Sequence, residues 1–120
     1  MAFFIYILKI LIVCNLTSAQ IERPIVQSIL YSKQIKEGQK VRIGCIVTSG
    51  SLPIIIDWFK NDQKIQNSSE YSIRHLYEDT SDLTIHSVNL SHSGSYKCEA
   101  NNLAGIDKSE EVKVQVYGNF

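Results

Sequence analysis

Apolar and polar residues alternate with a period of two along most of the chain, in short runs parted by turn-forming residues. Lys40 to Val47 places Val41, Ile43 and Cys45 on one face and Arg42 and Gly44 on the other, directly after a Glu37-Gly38-Gln39 turn. Ile54 to Lys60 predicts the next strand, with Trp58 near its middle, and Asn61-Asp62 is a turn before a short segment at Lys64-Ile65. Tyr71 to His75 is a weaker strand. Asp82 to Val88 is a better one, alternating Leu83 and Ile85 with Asp82, Thr84 and His86. Gly94 to Ala100 sets Tyr96, Cys98 and Ala100 against Ser95, Lys97 and Glu99. A hairpin loop is expected over Asn101 to Gly105, then a closing strand from Ser109 to Val116 with Val112, Val114 and Val116 on one face. Pro24 to Ile35 reads as a broken edge strand, because proline is tolerated in sheets only at edges and strand starts. No window has sustained helical periodicity. Strands with one wet and one dry face must bury the dry faces together, so the expected fold is all-β, an antiparallel sandwich of two sheets.

The first nineteen residues break this pattern. Phe3 to Leu8 and Ile10 to Val13 are almost unbroken apolar sequence around a single Lys9, and Thr17-Ser18-Ala19 supplies small residues ahead of Gln20. The run is short for a bilayer span and ends in small polar residues, which is the form of a secretory signal peptide over residues 1–19, cut near Ala19-Gln20. The alternative is an uncleaved N-terminal anchor. Residues 20–120 then form one domain, with its core over 24–117. Export also bears on the cysteines. Cys14 leaves with the leader, and Cys45 and Cys98 remain in an oxidising compartment, where they permit one intramolecular bridge. Two buried thiols are the alternative, and export disfavours it.

Composition narrows the function classes. Twelve basic and twelve acidic side chains cancel, so no charge excess points to nucleic acid or an anionic membrane surface. His75, His86 and His92 share no ligand spacing and fall on different elements, so they read as solvated surface residues and no metal is expected. No Gly-x-Ser-x-Gly elbow occurs, and no catalytic residues, cofactor or small-molecule substrate are expected.

Cys45, Trp58 thirteen residues later, Cys98, and Tyr96 two residues before it each lie in a period-two strand. Together with Glu37-Gly38-Gln39, Trp58-Phe59-Lys60, Leu83-Thr84-Ile85-His86-Ser87-Val88, Gly94-Ser95-Tyr96-Lys97-Cys98-Glu99-Ala100 and Asn102-Leu103-Ala104-Gly105, they make residues 37–116 resemble an I-set immunoglobulin domain. The resemblance implies a Cys45–Cys98 bridge between the sheets with Trp58 packed on it. It also implies a buried Leu83 and a tyrosine corner in which the Tyr96 hydroxyl bonds to the chain a few residues upstream. I-set domains usually carry Asp where this chain has His92, which is expected to leave the corner without its usual capping partner. Leu52-Pro53-Ile54 ahead of Asp57-Trp58, with Ser91-His92-Ser93-Gly94-Ser95-Tyr96, is similar to immunoglobulin domains of the Dscam family of arthropods.

That likeness implies an extracellular recognition module, secreted or on the plasma membrane. Its expected partner is a protein, including another copy of itself in homophilic cell adhesion. A soluble heterophilic binder of the immune or decoy kind is the alternative, and a structural module of an intracellular filament is disfavoured by the leader. Only Tyr117 to Phe120 follow Val116, so the sequence reads as a fragment of a longer receptor, and a membrane role would need an anchor beyond it. Asn67-Ser68-Ser69 and Asn89-Leu90-Ser91 are N-glycosylation sequons in predicted loops. Ile55 shares its face with Asp57 and is expected at the surface, either as a singly exposed apolar residue or as a partner contact.

Overall fold

The computed structural model describes residues 20–31 and 34–118; the leader expected over 1–19 lies outside them. The strands among these residues are β1 Ile25–Leu30, β2 Ile35–Lys36, β3 Val41–Ser49, β4 Ile55–Lys60, β5 Gln63–Lys64 and β6 Tyr71–Tyr77. They continue with β7 Thr80–Ile85, β8 Gly94–Asn102, β9 Gly105–Lys108, β10 Val112–Val114 and β11 Val116–Tyr117. One sheet runs β1-β3-β7-β6, and the other runs β10-β8-β4-β5 with β9 also paired to β8. The ladders within both sheets are antiparallel. A separate parallel pair joins β2 to β11, with Ile35 beside Val116 and Lys36 beside Tyr117.

Alternation explains the core. Val41, Ile43, Cys45 and Val47 of β3 face Ile56, Trp58, Tyr96, Cys98 and Ala100 of the other sheet, and Leu83, Ile85, Val114 and Val116 complete the packing. Two turns show the local chemistry. Asn61 and Asp62 both take positive φ, 48° and 66°, as a two-residue hairpin between β4 and β5 requires, and Asn and Asp tolerate that region better than most residues. Gly38, at φ 91°, lets its N–H reach the Val88 carbonyl at 2.7 Å and fastens the entry to β3 onto the chain leaving β7.

Three of the differences between the expected and observed strand bounds have a visible cause. The strand expected over Asp82 to Val88 is Thr80–Ile85, and Val88 stays buried beyond its end by donating its N–H to Gln39. The hairpin loop expected from Asn101 shrinks to Leu103 and Ala104, because β8 runs on to Asn102 and β9 begins at Gly105. The closing strand is broken between β9 and β10. Ser109 turns inward there, donates its N–H to the Cys98 carbonyl at 2.8 Å and accepts the Cys98 N–H on its hydroxyl at 3.0 Å, so one residue occupies the ladder position of a regular pair.

The start of the described chain is tied to the tips of the sandwich. Ser51 and Glu22 exchange hydrogen bonds, Asn102 donates to the carbonyls of Glu22 and Ser51, and Arg23 donates to the Ile106 carbonyl.

Candidate functional site

Cys45 and Cys98 are bonded, with Cα atoms 6.3 Å apart. Trp58 lies beside Cys98 in the β4–β8 register and is wholly buried, donating its indole N–H to the Ser81 hydroxyl at 3.0 Å. Sequence reasoning missed Ser81, since a serine at an alternating position carries no mark of its partner. Leu83 is also fully buried.

The Tyr96 hydroxyl, fully buried, donates to the His92 carbonyl at 2.6 Å. Burial, with a hydrogen bond to Tyr71 as the next cause, pushes its ionisation far above the ordinary phenol range. His92 itself departs from the solvated surface position expected for it. It is 2 % exposed, and its Nδ1 accepts the Asn89 N–H at 2.9 Å, closing a capping box around the single 3₁₀ turn Leu90–His92. The usual acidic partner is absent, and a buried histidine caps the corner in its place. Its ring meets Tyr71 edge-on with centroids 5.5 Å apart. Its Nε2 faces the Glu70 carboxylate at 3.4 Å, without hydrogen-bond geometry. The signal that could have revealed this is the Asn-x-x-His spacing itself, which repeats that of a capping box with His as the acceptor. His75 and His86 are exposed, and His86 Nε2 pairs with the Ser72 hydroxyl at 2.7 Å. Among the described residues no group of three or more His, Cys, Asp or Glu gathers as a metal site would.

These residues build the fold. On the outer face of the first sheet, Asp82, expected to be wet, is buried beneath an ion pair with Arg42, whose guanidinium also lies 5.8 Å from the Tyr31 ring centroid. The Tyr31 ring covers Gly44, where a Cβ would fall 2.6 Å from the hydroxyl. On the outer face of the second sheet a row of charges crosses four strands. Lys64 reaches Asp57 at 3.3 Å, Asp57 lies beside Glu99, and Glu99 lies beside Lys108.

The side of the sandwich where β4 and β6 run is covered for only part of its length. β5 pairs with Phe59 and Lys60 alone, and the following connection closes on β6 through Ser68 to Tyr71 and through Asn67, whose Oδ1 accepts the Ile73 N–H at 2.6 Å. Above these contacts no described strand lies on the β4 edge away from β8 from Ile55 to Asp57. Ile54, Ile55, Asp57, His75, Tyr77 and Glu78 line an open groove of about 330 Å³ there. Ile55 is 65 % exposed and Tyr77 74 %, Tyr77 standing just past a register shift in β6. Asn67 and Asn89 are both exposed, and each is engaged through Oδ1.

The sequence matches the immunoglobulin I-set domain family over residues 24–116. It is 38% identical over 84 residues to the human cell adhesion molecule DSCAM and 39% identical over 84 residues to human DSCAML1, covering 69% of this chain in each case. It spans only about 4% of the length of these relatives. A titin homolog of Caenorhabditis elegans is 28% identical over 87 residues. Among solved structures, the Dscam1 Ig7 domain, isoform 9, superposes with a TM-score of 0.68 at 30% identity, covering 78% of this chain and 96% of that one. The eight N-terminal immunoglobulin domains of DSCAM isoform 1.30.30 give a TM-score of 0.73 at 29% identity, covering 82% of this chain and 13% of that one. With the bridge, the Trp58 packing, the tyrosine corner and the parallel β2–β11 pair in place, the match places this chain in the immunoglobulin I-set family, with DSCAM domains among its relatives.

Proposed function

We propose that this domain is an extracellular recognition module of a cell-adhesion protein and that it binds a second copy of itself. The observation that carries the reading is the likeness to domains of cell adhesion molecules in a chain whose core holds a disulfide. A bridge of this kind forms and persists in an oxidising compartment, which agrees with a leader over residues 1–19 cut near Gln20. Glycans on Asn67 and Asn89 belong to the same reading. Both side chains are exposed, and the hydrogen bonds they accept use Oδ1 and not the amide nitrogen, where a glycan attaches. Homophily is supported by the near-zero formal charge, which gives two copies no strong mutual repulsion.

One small domain buries limited area, so the affinity is expected to be weak, on the order of micromolar or poorer, and to be raised by multivalency on a membrane. Sedimentation equilibrium at high concentration, with aggregation of beads carrying the tethered protein, tests this. Association in solution together with bead clusters is the expected result. A monomer with dispersed beads removes self-binding and leaves a heterophilic ligand.

A further inference from the structure

The half-covered side of the sandwich is more than an exposed patch. Residues alternate along β4 in the direction of their backbone groups as well as their side chains. Phe59 and Lys60 are paired with β5, and the Ile65 N–H reaches the Trp58 carbonyl at 2.8 Å, so the even-numbered residues turn their N–H and C=O toward the β5 side. By the same alternation Ile56 turns its own toward the stretch that no described strand covers, with Ile54 just ahead of the strand. An uncovered row of this kind is satisfied by another extended strand, and natural sheets ordinarily blunt it with a charge, a proline or a cover. Here the residue pointing outward at its centre is instead an exposed isoleucine, Ile55, with Tyr77 across the groove.

We propose, resting on the self-binding read above, that a second copy adds its own β4 to this edge, antiparallel about a two-fold axis, with Ile55 of one copy beside Ile55 of the other. Side-chain chemistry selects that register. Symmetric pairing centred on Ile56 sets each Ile55 against an Asp57, and pairing centred on Asp57 sets two carboxylates together; both are unfavourable cross-strand pairs. Centring on Ile55 joins two β-branched side chains and pairs Ile54 of each copy with Ile56 of the other. The outer face of the second sheet is a poorer choice for the same partner. Its row reads Lys64, Asp57, Glu99, Lys108, and a two-fold axis centred on it, along or across the row, brings like charge over like charge. Neither sequon asparagine lines the groove beside the edge. Asn67 stands beside Ile73 at its lower margin, and Asn89 caps the corner beyond β7. A contact of a few strand residues buries less than the roughly 1,200 Å² of a stable specific interface, which agrees with weak association.

The test compares glycosylated, secreted wild type with Ile55→Lys and, as a control on the first sheet's outer face, Ile29→Lys, both at exposed positions. Sedimentation equilibrium and bead aggregation are read for each, with thermal melts to confirm folding. Ile55→Lys is expected to weaken association at least tenfold, and Ile29→Lys to leave it within about twofold. In addition, Ile55→Cys is expected to give a disulfide-linked dimer on mild oxidation, because directly opposed residues at a non-hydrogen-bonded position bring Cβ atoms near bonding range, while Ile29→Cys is not. Unchanged association in Ile55→Lys, or loss in Ile29→Lys alone, overturns the edge and leaves self-binding standing on another surface. A monomeric wild type with dispersed beads overturns the edge and self-binding together.

Discussion

Replacing Tyr96 by Phe tests the tyrosine corner with a single atom. The hydroxyl is fully buried and donates at 2.6 Å to the carbonyl of His92, a residue that is itself buried and is held from the other side by the Asn89 cap. Removing it leaves that carbonyl without its donor in a dry site, which costs about 1–3 kcal/mol. For a domain of this size about 1 kcal/mol lowers Tm by roughly 4–8 °C, so the melt should move clearly at neutral pH. The pH dependence sharpens the test. In the unfolded chain a tyrosine ionises near pH 10, whereas burial holds the folded Tyr96 phenol protonated well above that. Above about pH 10 the folded state therefore binds more protons at this group than the unfolded state, and stability falls as pH rises. By pH 11 the loss from this group is about 1.4 kcal/mol, the linkage value for one unit above the unfolded pKa. The Tyr96→Phe variant has no ionisable group there and no such dependence, so the stability gap between it and wild type should narrow by that amount between pH 8 and pH 11. Urea melts of both proteins at a series of pH values measure the gap directly. A gap that stays constant, or a neutral-pH cost below about 0.5 kcal/mol, refutes a buried, hydrogen-bonded phenol at this position.

Two further outcomes follow from the same structure. The Cys45–Cys98 bridge closes a sequence separation of 53 residues, so Cys45→Ala with Cys98→Ala should cost about 4 kcal/mol in the chain-entropy model, read by urea denaturation, and non-reducing peptide mapping of the wild type should find the two joined. Protein secreted from eukaryotic cells should begin at or near Gln20, and Ser69→Ala and Ser91→Ala should each remove one glycan mass while keeping the asparagine that accepts the local backbone hydrogen bond; an intact mass that includes Met1 and carries no hexose would contradict both parts.

The alternation of β3, β4 and β8 was legible because each strand has one dry face, and a period of two is then written directly into the order of residues. The trio Cys45, Trp58 and Cys98 was legible for a similar reason: the residue types are rare and their spacing is set by the lengths of neighbouring strands. His92 was not. Its burial depends on the Tyr71 ring arriving from β6, a contact between residues distant in sequence, and local polarity pointed the other way. Asp82 misled for the same reason, since Arg42 from the adjacent strand covers it. The break between β9 and β10 was hidden because it rests on one hydroxyl at Ser109, ahead of the period that Val112, Val114 and Val116 keep. The uncovered β4 edge could not be read at all. It exists because β5 is only two residues long, and strand ends are where pattern says least.

The parallel pairing of β2 with β11 also fixes how the domain answers tension. Both strands run the same way, β2 following β1 in the chain and β11 lying at its far end among the described residues. A pull on the first described residues and an opposite pull beyond Tyr117 therefore loads the Glu22–Ser51 bonds and the β1–β3 ladder first, and once these part it drags β2 and β11 past each other along their length. The bonds around Ile35, Lys36, Val116 and Tyr117 are loaded together in shear, rather than opened one after another as in a hairpin peeled from its end. Beneath that clamp lies the covalent Cys45–Cys98 link, so a force that parts the short strands still meets a loop that cannot lengthen between the two cysteines. A module tethered at both ends would in this way give up its outermost strands first and keep its centre closed.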